Sequence, residues 1–280
     1  MFVVRRWPDV ARFRAAADHF LVAREAEHNL ILGLSSVIAN HPENFRAAPQ
    51  YATVHDGDRV VGAALRTPPH NLVLSELDDD ASIDALIEAN RGEPLPGVLG
   101  PTQAARRFAE RWASAAGLRA ERQMQERIFR LDQVIPPRPI SGSWRSAEER
   151  DRALLAIWAA AFTEEARVVT HDTPEAMADR WLRRAGRVIY IWEDAGEVVS
   201  LAGIGGETPH GVRIGPVYTP PRHRGRGYAS NLVAATSERA LAEGRRFCFL
   251  FTDLTNPTSN RIYEALGYRP VTDVDQYRFE

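Results

Sequence analysis

The chain has 280 residues and no lysine, so all 35 of its basic side chains are arginine. A Walker-type phosphate loop requires a lysine, and that class of nucleotide site is therefore excluded. The single cysteine, Cys248, excludes a disulfide framework within the chain. No apolar run approaches the ~18 residues of a membrane span, and the first residues lack the apolar core of a signal peptide. We therefore expect a soluble, cytoplasmic protein.

The formal net charge is only −2, which gives no reason to expect nucleic acid or an anionic membrane as a partner. His171, His210 and His223 do not have the spacing of a metal site, so we expect polar loop residues there and no metal. A chain of this length can bury one large core or form two domains of ordinary size.

The stretch from Val212 to Ser230 predicts a strand, a loop rich in arginine and glycine, and a helix. Within the strand, Gly215-Pro216 interrupts the alternation, which indicates a bulge or a splayed edge. Gly225 and Gly227 permit backbone angles that other residues resist, and the helix begins near Ala229. A helix N-terminus that offers free N–H groups is a site for phosphate or pyrophosphate.

Arginines at positions 222, 224 and 226 add positive charge to this loop. A dinucleotide fingerprint requires a third glycine, which is missing. The sequence from Arg222 to Gly227 instead resembles the signature of the GNAT superfamily of N-acetyltransferases. A second motif downstream is similar to the same superfamily: Asn256 follows a buried strand, Tyr263 comes seven residues later, and Gly267-Tyr268 closes the helix.

The resemblance implies an α/β fold, an α+β mixed sheet, in two tandem GNAT-like domains. Each domain would have a mostly antiparallel sheet with a splayed central strand pair flanked by helices. The co-substrate would be acetyl-CoA, with its pyrophosphate on the loop and its pantetheine arm beside the splayed strand. The residues that the resemblance assigns to acetyl-CoA are Val217, Tyr218, Thr219, Arg222, Arg224, Gly225, Arg226, Gly227, Tyr228, Ala229, Ser230, Asn256 and Ser259.

Tyr263 is the general acid that the resemblance implies, because a phenol with a pKa of about 10 is matched to a thiolate of similar basicity. For the general base, Glu165 is the tentative choice beside its neighbour Glu164, acting directly or through ordered water. Cys248 lies in an apolar run and is expected in the core, where it would not relay the acyl group.

Element patterns repeat along the chain with a period of ~140 residues. The apolar pattern at Tyr51 to Leu65 predicts a hairpin around Asp56-Gly57, and Val188 to Ala202 repeats it around Asp194. The proline-rich segment from Ile135 to Pro139 cannot continue a helix or a central strand. We therefore predict two domains, a degenerate GNAT-like domain at 1–135 and an acetyltransferase domain at 136–280.

The first half lacks the coenzyme motif. The segment Glu76 to Ala81 carries four carboxylates at a helix start, and these would repel a pyrophosphate. Ala113 stands where the second half has Tyr263. The first domain is therefore expected to support the second and to form one wall of the substrate cleft.

The predicted function is transfer of an acetyl group from acetyl-CoA to a primary amine by direct attack. Two alternatives remain open: a sensor that binds acyl-CoA without turnover, and a transferase of a longer acyl or aminoacyl group. The fold does not determine the acceptor. Candidates are an amino-sugar thiol precursor, an aminoglycoside, an amino acid, a polyamine or a protein N-terminus. The protein would act as a monomer or a homodimer.

Overall fold

The computed structural model describes all residues from 1 to 280. Contacts divide the chain into two compact units. The first consists of Met1–Phe129, Phe251–Pro257 and Pro270–Glu280, and the second of Arg130–Leu250 and Thr258–Arg269. The predicted division between residues 135 and 136 lies near the first change of unit. The two C-terminal segments that join the first unit were not predicted.

The same order of ten elements occurs twice along the chain, as the repeated patterns predict. In the first half the elements are β1 (Phe2–Trp7), α1 (Val10–Ala23), α2 (Asn29–Asn40), β2 (Gln50–Asp56), β3 (Arg59–Arg66), β4 (Leu72–Leu74), α3 (Asp80–Ala89), β5 (Gly97–Pro101), α4 (Thr102–Ala116) and β6 (Ala120–Leu131). In the second half they are β7 (Ser143–Ser146), α5 (Arg152–Glu165), α6 (Pro174–Leu182), β8 (Arg187–Asp194), β9 (Glu197–Gly205), β10 (Gly211–Tyr218), α7 (Tyr228–Ala242), β11 (Phe247–Asp253), α8 (Pro257–Ala265) and β12 (Arg269–Phe279).

In the first unit the strand order is β1-β2-β3-β4-β5-β12-β6, so the last strand of the chain completes the sheet of the first half. Strand β12 pairs antiparallel with β5, with Val274 opposite Pro101. Arg127 on β6 donates two hydrogen bonds to Asp273 on β12, at 2.6 and 2.9 Å. Paired guanidinium and carboxylate groups of this geometry add directional specificity to the strand contact.

Both faces of the first unit's sheet are covered. Tyr51 and its neighbours on one face pack with Phe13 and Leu21 of α1 and with apolar residues of α2. The alternate residues, such as Val54, pack with Phe108 of α4 and with α3. The period-two alternation of strand side chains sends neighbouring residues to these two separate cores.

In the second unit the strand order is β7-β8-β9-β10-β11. On one face, Ile191 and Leu201 pack against Trp158 of α5 and against α6. On the other face, Tyr190 lies under Arg239 of α7, whose guanidinium carbon is 5.2 Å from the ring centroid. The pairs β4–β5 and β10–β11 are parallel, and most other pairs are antiparallel. The predicted mixed, mostly antiparallel sheets flanked by helices are therefore confirmed.

The predicted helices match the structure closely where their end signals are clear. The helix predicted to begin near Ala229 is α7, which begins at Tyr228, and α4 ends before Gly117, whose φ is +68°. Strands β1 and β7 were not predicted, because each is a short outer strand with few buried residues. None of the eight helices combines the length and the apolar character that a membrane span needs.

Candidate functional site

Strands β10 and β11 separate partway along their length. Their parallel pairing is confined to Gly211–Arg213 of β10 and Phe247–Phe249 of β11. On the other side, the register of β10 with β9 shifts between Ile214 and Val217. The bulge predicted at Gly215-Pro216 is thus confirmed. Beyond it, the backbone at Val217 no longer pairs with β11, and an extended ligand could hydrogen-bond there as an added strand.

The loop after β10 leads directly into α7. A single 3₁₀ turn spans Pro221–His223, and the first hydrogen bond of the helix joins the N–H of Asn231 to the carbonyl of Gly227 at 3.0 Å. The backbone N–H groups from Gly225 to Ser230 have no acceptor within the chain. Six consecutive donors at a helix N-terminus form a cradle for an anion. We call the segment Gly225–Ser230 the anion loop.

Two glycines give the anion loop its shape. Gly225 has φ of +74° and Gly227 has φ of +85°. Positive φ is disfavoured for residues with a Cβ. A Cβ at Gly225 would meet nothing within 4 Å, and one at Gly227 would lie 3.4 Å from Cγ2 of Ile140, an ordinary contact. The backbone angle, and not crowding, is therefore what requires glycine at both positions.

Two of the three arginines around the anion loop, Arg222 and Arg224, are already engaged by carboxylates. Arg222 donates to Oε1 of Glu197 at 2.9 Å, and the buried His223 contacts the same oxygen at 3.2 Å. Arg224 donates to Oε2 of Glu165 at 2.5 Å, and its Nε donates to the carbonyl of Thr219 at 2.8 Å. A diphosphate on this loop would compete with these carboxylates for the guanidinium groups.

Tyr228 connects the start of α7 to the β8–β9 hairpin. Its hydroxyl donates to Oδ2 of Asp194 at 2.5 Å. The hydrogen bond to Asp194 raises the pKa of Tyr228, and the same bond lowers the pKa of Asp194. The charge of Arg226 also lowers the pKa of Asp194. Asp194 and Glu197, which the sequence indicated only as hairpin residues, thus help to hold the anion loop.

Tyr218 points its hydroxyl toward α5. It is buried, its ring packs edge-on against Trp158 with centroids 5.8 Å apart, and its hydroxyl donates to Oε1 of Glu165 at 3.4 Å. Burial, and then the charge of Glu165, raises the pKa of Tyr218. Behind the strand end, Ser200 Oγ donates to the carbonyl of Tyr218 and hydrogen-bonds Thr219 Oγ1 at 2.8 Å. The predicted base is therefore held between a phenol and a guanidinium.

Tyr263 lies on α8 and is buried. Its ring packs edge-on against Tyr268 with centroids 5.9 Å apart. Burial raises the pKa of Tyr263 to about 12, so its hydroxyl keeps its proton at neutral pH. Ser259 lies on the same helix, whereas Asn256 belongs to a segment of the first unit and donates its backbone N–H to the carbonyl of Asp253 at 3.0 Å.

Cys248 lies in the core, as predicted. Its side chain is fully buried and its thiol donates to the carbonyl of Ser237 at 3.9 Å. Burial raises the pKa of Cys248 to about 12. The thiolate form that a covalent relay requires is therefore disfavoured.

In the first half, acidic residues occupy the segment equivalent to the anion loop. Asp79 caps α3 by accepting the N–H of Ala81 at 2.7 Å. Asp80 forms an ion pair with Arg111 at 3.0 Å. Glu76 is a partly buried partner of the buried His28. Local carboxylates satisfy this helix start, which is consistent with the absence of an anion site there.

Residues 152–268 match the model of the acetyltransferase (GNAT) family. The match covers the whole site, from the start of α5 to the end of α8. This segment is therefore similar to the GNAT family, whose members are transferases that use acetyl-CoA. No curated protein sequence matches this chain.

Solved structures similar to this chain cover nearly its whole length. A Drosophila protein has a TM-score of 0.73 at 13% identity and covers 100% of this chain and 99% of its own. A GCN5-related N-acetyltransferase from Sphaerobacter thermophilus has a TM-score of 0.59 at 17% identity, covering 99% and 95%. A tandem GNAT protein from the clavulanic acid biosynthesis pathway has a TM-score of 0.53 at 16% identity, covering 100% and 97%. At these identities the likeness establishes the fold.

Proposed function

We propose that this protein transfers the acetyl group of acetyl-CoA to a primary amine of a small molecule or peptide. The observation that carries the proposal is the anion loop, whose unpaired N–H groups lie where β10 leaves its pairing with β11. Free N–H groups beside the unpaired edge of β10 fit a ligand in which a diphosphate is joined to an extended chain that contains amide groups. Acetyl-CoA has both parts, and the family of residues 152–268 uses it.

In this proposal the backbone from Gly225 to Ser230 holds the diphosphate, and Arg222, Arg224 and Arg226 add charge; the N–H of Arg224, which was expected in the cradle, donates to the carbonyl of Pro221 at 3.2 Å. The β10 backbone at Val217 and Thr219 pairs with the pantetheine arm, while Tyr218 fixes the strand end by its packing on Trp158. Asn256 and Ser259 complete the proposed set of contacts with the co-substrate. Hydrogen bonds from backbone amides to a charged phosphate are stronger than those to neutral acceptors.

The proposed reaction is direct attack of the amine on the thioester. The amine nitrogen forms a bond to the thioester carbonyl carbon, the carbon–sulfur bond breaks, and the thiolate of CoA leaves. Tyr263 gives its proton to that thiolate; burial keeps this phenol protonated at neutral pH but, by raising its pKa to about 12, makes it a weaker acid than the expected pKa of about 10 implies. An amine that arrives as an ammonium ion loses two protons, the first to Glu165 before attack and the second to the tyrosinate of Tyr263 as the intermediate collapses, and the products are an amide and a free thiol.

Glu165 is the proposed acceptor of the proton from the ammonium group, directly or through water. Its carboxylate lies within hydrogen-bonding reach of Tyr218 and forms an ion pair with Arg224. The ion pair must open before the carboxylate can take a proton. Binding of a diphosphate would favour this opening, because Arg224 would gain a second anionic partner.

Calorimetry with acetyl-CoA and with longer acyl-CoA esters tests the proposal, together with a thiol-release assay over a panel of amines. We expect acetyl-CoA to bind and one class of amine to release CoA with formation of an amide. Tight binding without product on any amine would make the protein a sensor. Preference for a longer acyl or aminoacyl donor would make it a different transferase, and no binding would refute the proposal.

A further inference from the structure

Two arginines lie on either side of one glycine in the sheet of the second unit. Arg187 of β8 is directly opposite Gly205 of β9, which in turn is opposite Arg213 of β10. Residues in register across neighbouring strands project from the same face of a sheet. Because Gly205 has no side chain, the two arginine side chains share the space above it.

Three glycines of β9 and its end make room for this pair. A Cβ at Gly203 would lie 2.9 Å from Cδ of Arg187, and one at Gly206 would lie 3.0 Å from Nη2 of Arg213. A Cβ at Gly205 would lie 2.9 Å from Cα of Arg187. At Gly203 and Gly205 the nearest atoms are backbone carbonyl oxygens, of Gly215 at 2.6 Å and of Gly186 at 2.3 Å, so a side chain there would clash with the backbone as well as with Arg187. The local sequence thus provides a gap that the two arginine side chains occupy.

The charge of Arg187 has no anion beside it. Its side chain makes no hydrogen bond or ion pair within the chain, and its Nε is buried without an acceptor. Burial, followed by the charges of Arg213 and Arg180, lowers the pKa of Arg187 to about 9, so the group is still charged at neutral pH. Arg180 itself pairs with Asp172 at 2.5 Å. A half-buried cation among cations is costly, and proteins normally compensate such a charge.

The pair lies where the central strands separate. Arg213 is the last residue of β10 that pairs with β11, and the bulge at Gly215-Pro216 follows it. Arg187 shares its sheet face with Ile189 and Ile191, which pack against α5 and α6. The two guanidinium groups therefore lie at the end where β10 and β11 are still paired. They are on the face of the sheet that carries Glu165 at the end of α5.

We propose that Arg187 and Arg213 bind an anionic group of the acceptor, so that the accepted amine also carries a carboxylate, phosphate or sulfate. This inference rests on the proposed function, since it names the substrate class of the same site. A guanidinium fork matches the oxygens of a carboxylate or phosphate with two parallel hydrogen bonds. An oxyanion held there would give Arg187 the partner that it lacks.

Matched amines test the proposal in the thiol-release assay. O-phosphoethanolamine is compared with ethanolamine, and β-alanine with propylamine, in the full-length protein and in Arg187→Met. The control is Arg150→Met, which removes an exposed arginine that pairs with Glu148 at 3.0 Å. We expect the wild type and the control to prefer an anionic amine by at least ~10-fold in kcat/KM, and Arg187→Met to lose that preference. Equal use of charged and neutral amines by the wild type would overturn the proposal.

Thermal denaturation tests the subsite without catalysis, with sulfate compared with chloride at equal ionic strength. Because sulfate stabilises folded proteins in general, we expect it to raise the Tm of the wild type and of Arg150→Met by more than that of Arg187→Met. Without sulfate, Arg187→Met should melt above the wild type, because it removes an uncompensated charge. Two results together would show that Arg187 is structural. Arg187→Met would have a lower Tm than the wild type, and sulfate would raise the Tm of the wild type by no more than that of Arg187→Met. Calorimetry with acetyl-CoA on the same proteins shows separately whether the proposed function fails.

Discussion

Replacing Gly225 by glutamate tests the anion loop by adding a negative charge to it. A residue with a Cβ at φ of +74° has a backbone strain of about 1–2 kcal/mol in the folded state. No further cost arises from crowding, because nothing lies within 4 Å of the added Cβ. For a unit of this size, that strain lowers the Tm by about 2–8 °C. Gly225→Ala pays the same strain without the charge and is therefore the matched control.

The effect on coenzyme binding follows from Coulomb's law. A glutamate carboxylate about 4 Å from one phosphate charge is repelled by about 1 kcal/mol in water and by about 4 kcal/mol at an effective dielectric constant of 20. These energies correspond to a roughly 5-fold to roughly 700-fold increase in Kd. The side chain would also occupy part of the cradle, which adds to the loss.

Calorimetry with acetyl-CoA and thermal denaturation of both variants separate these effects. We expect both variants to fold with similar Tm values. Gly225→Ala should bind acetyl-CoA more weakly than the wild type by less than ~30-fold, the equivalent of ~2 kcal/mol. Gly225→Glu should bind at least ~5-fold more weakly than Gly225→Ala. Equal affinity of the two variants would refute the placement of the diphosphate on this loop.

Three further substitutions test the site and its support. Tyr263→Phe should lower turnover by about 100-fold or more without changing coenzyme affinity, and equal turnover would remove this phenol from the mechanism. Glu165→Gln should lower turnover near neutral pH and recover as rising pH deprotonates the amine in solution; an unchanged pH–rate profile would exclude a base role. Arg145→Met removes two hydrogen bonds to the buried Asp151, at 2.7 and 2.9 Å, and should cost about 3–5 kcal/mol in thermal or urea unfolding, whereas Arg150→Met should cost less than about 0.5 kcal/mol.

The pH dependence of that last effect has a definite sign. Burial opposes the ionisation of Asp151, but the hydrogen bonds from Arg145 and from the backbone N–H of Glu148, together with the charges of Arg145 and Arg150, outweigh it and hold the pKa of Asp151 below its ordinary value. Its contribution to stability is therefore present above pH ~4 and is lost as the pH falls through the lowered pKa. We expect the deficit of Arg145→Met to be large at pH 7 and to shrink below pH ~4. A deficit that stays constant from pH 7 to pH 3 would contradict this account.

Local patterns predicted most helices and strands. Capping and breaking residues marked α8, with Pro257 at its first position and Gly267 just beyond its end. The bulge in β10 was also predicted, because a proline within a strand cannot donate a ladder hydrogen bond. Such features depend on residues that are close in sequence, so the sequence carries them directly.

The carboxylate partners of the loop arginines were not predicted. Glu197 lies 25 positions from Arg222, and Glu165 lies 59 positions from Arg224. From the residues around them, Glu197 was predicted to be a hairpin residue and Glu165 a tentative general base. Side chains that approach through folding leave no mark in local spacing, and only the tertiary structure reveals that they meet.

By itself the sequence determined the local backbone: two series of helices and strands, a bulged strand, and a glycine-shaped loop at a helix start. The tertiary structure alone decided how strands distant in sequence meet, so that β12 completes the sheet of the first unit beside β5. It also decided that Arg187 and Arg213 face each other across Gly205 without a carboxylate at Arg187. The physical reason is that turns and caps depend on backbone angles set locally, whereas strand pairing and charge compensation depend on groups brought together only when the chain has folded.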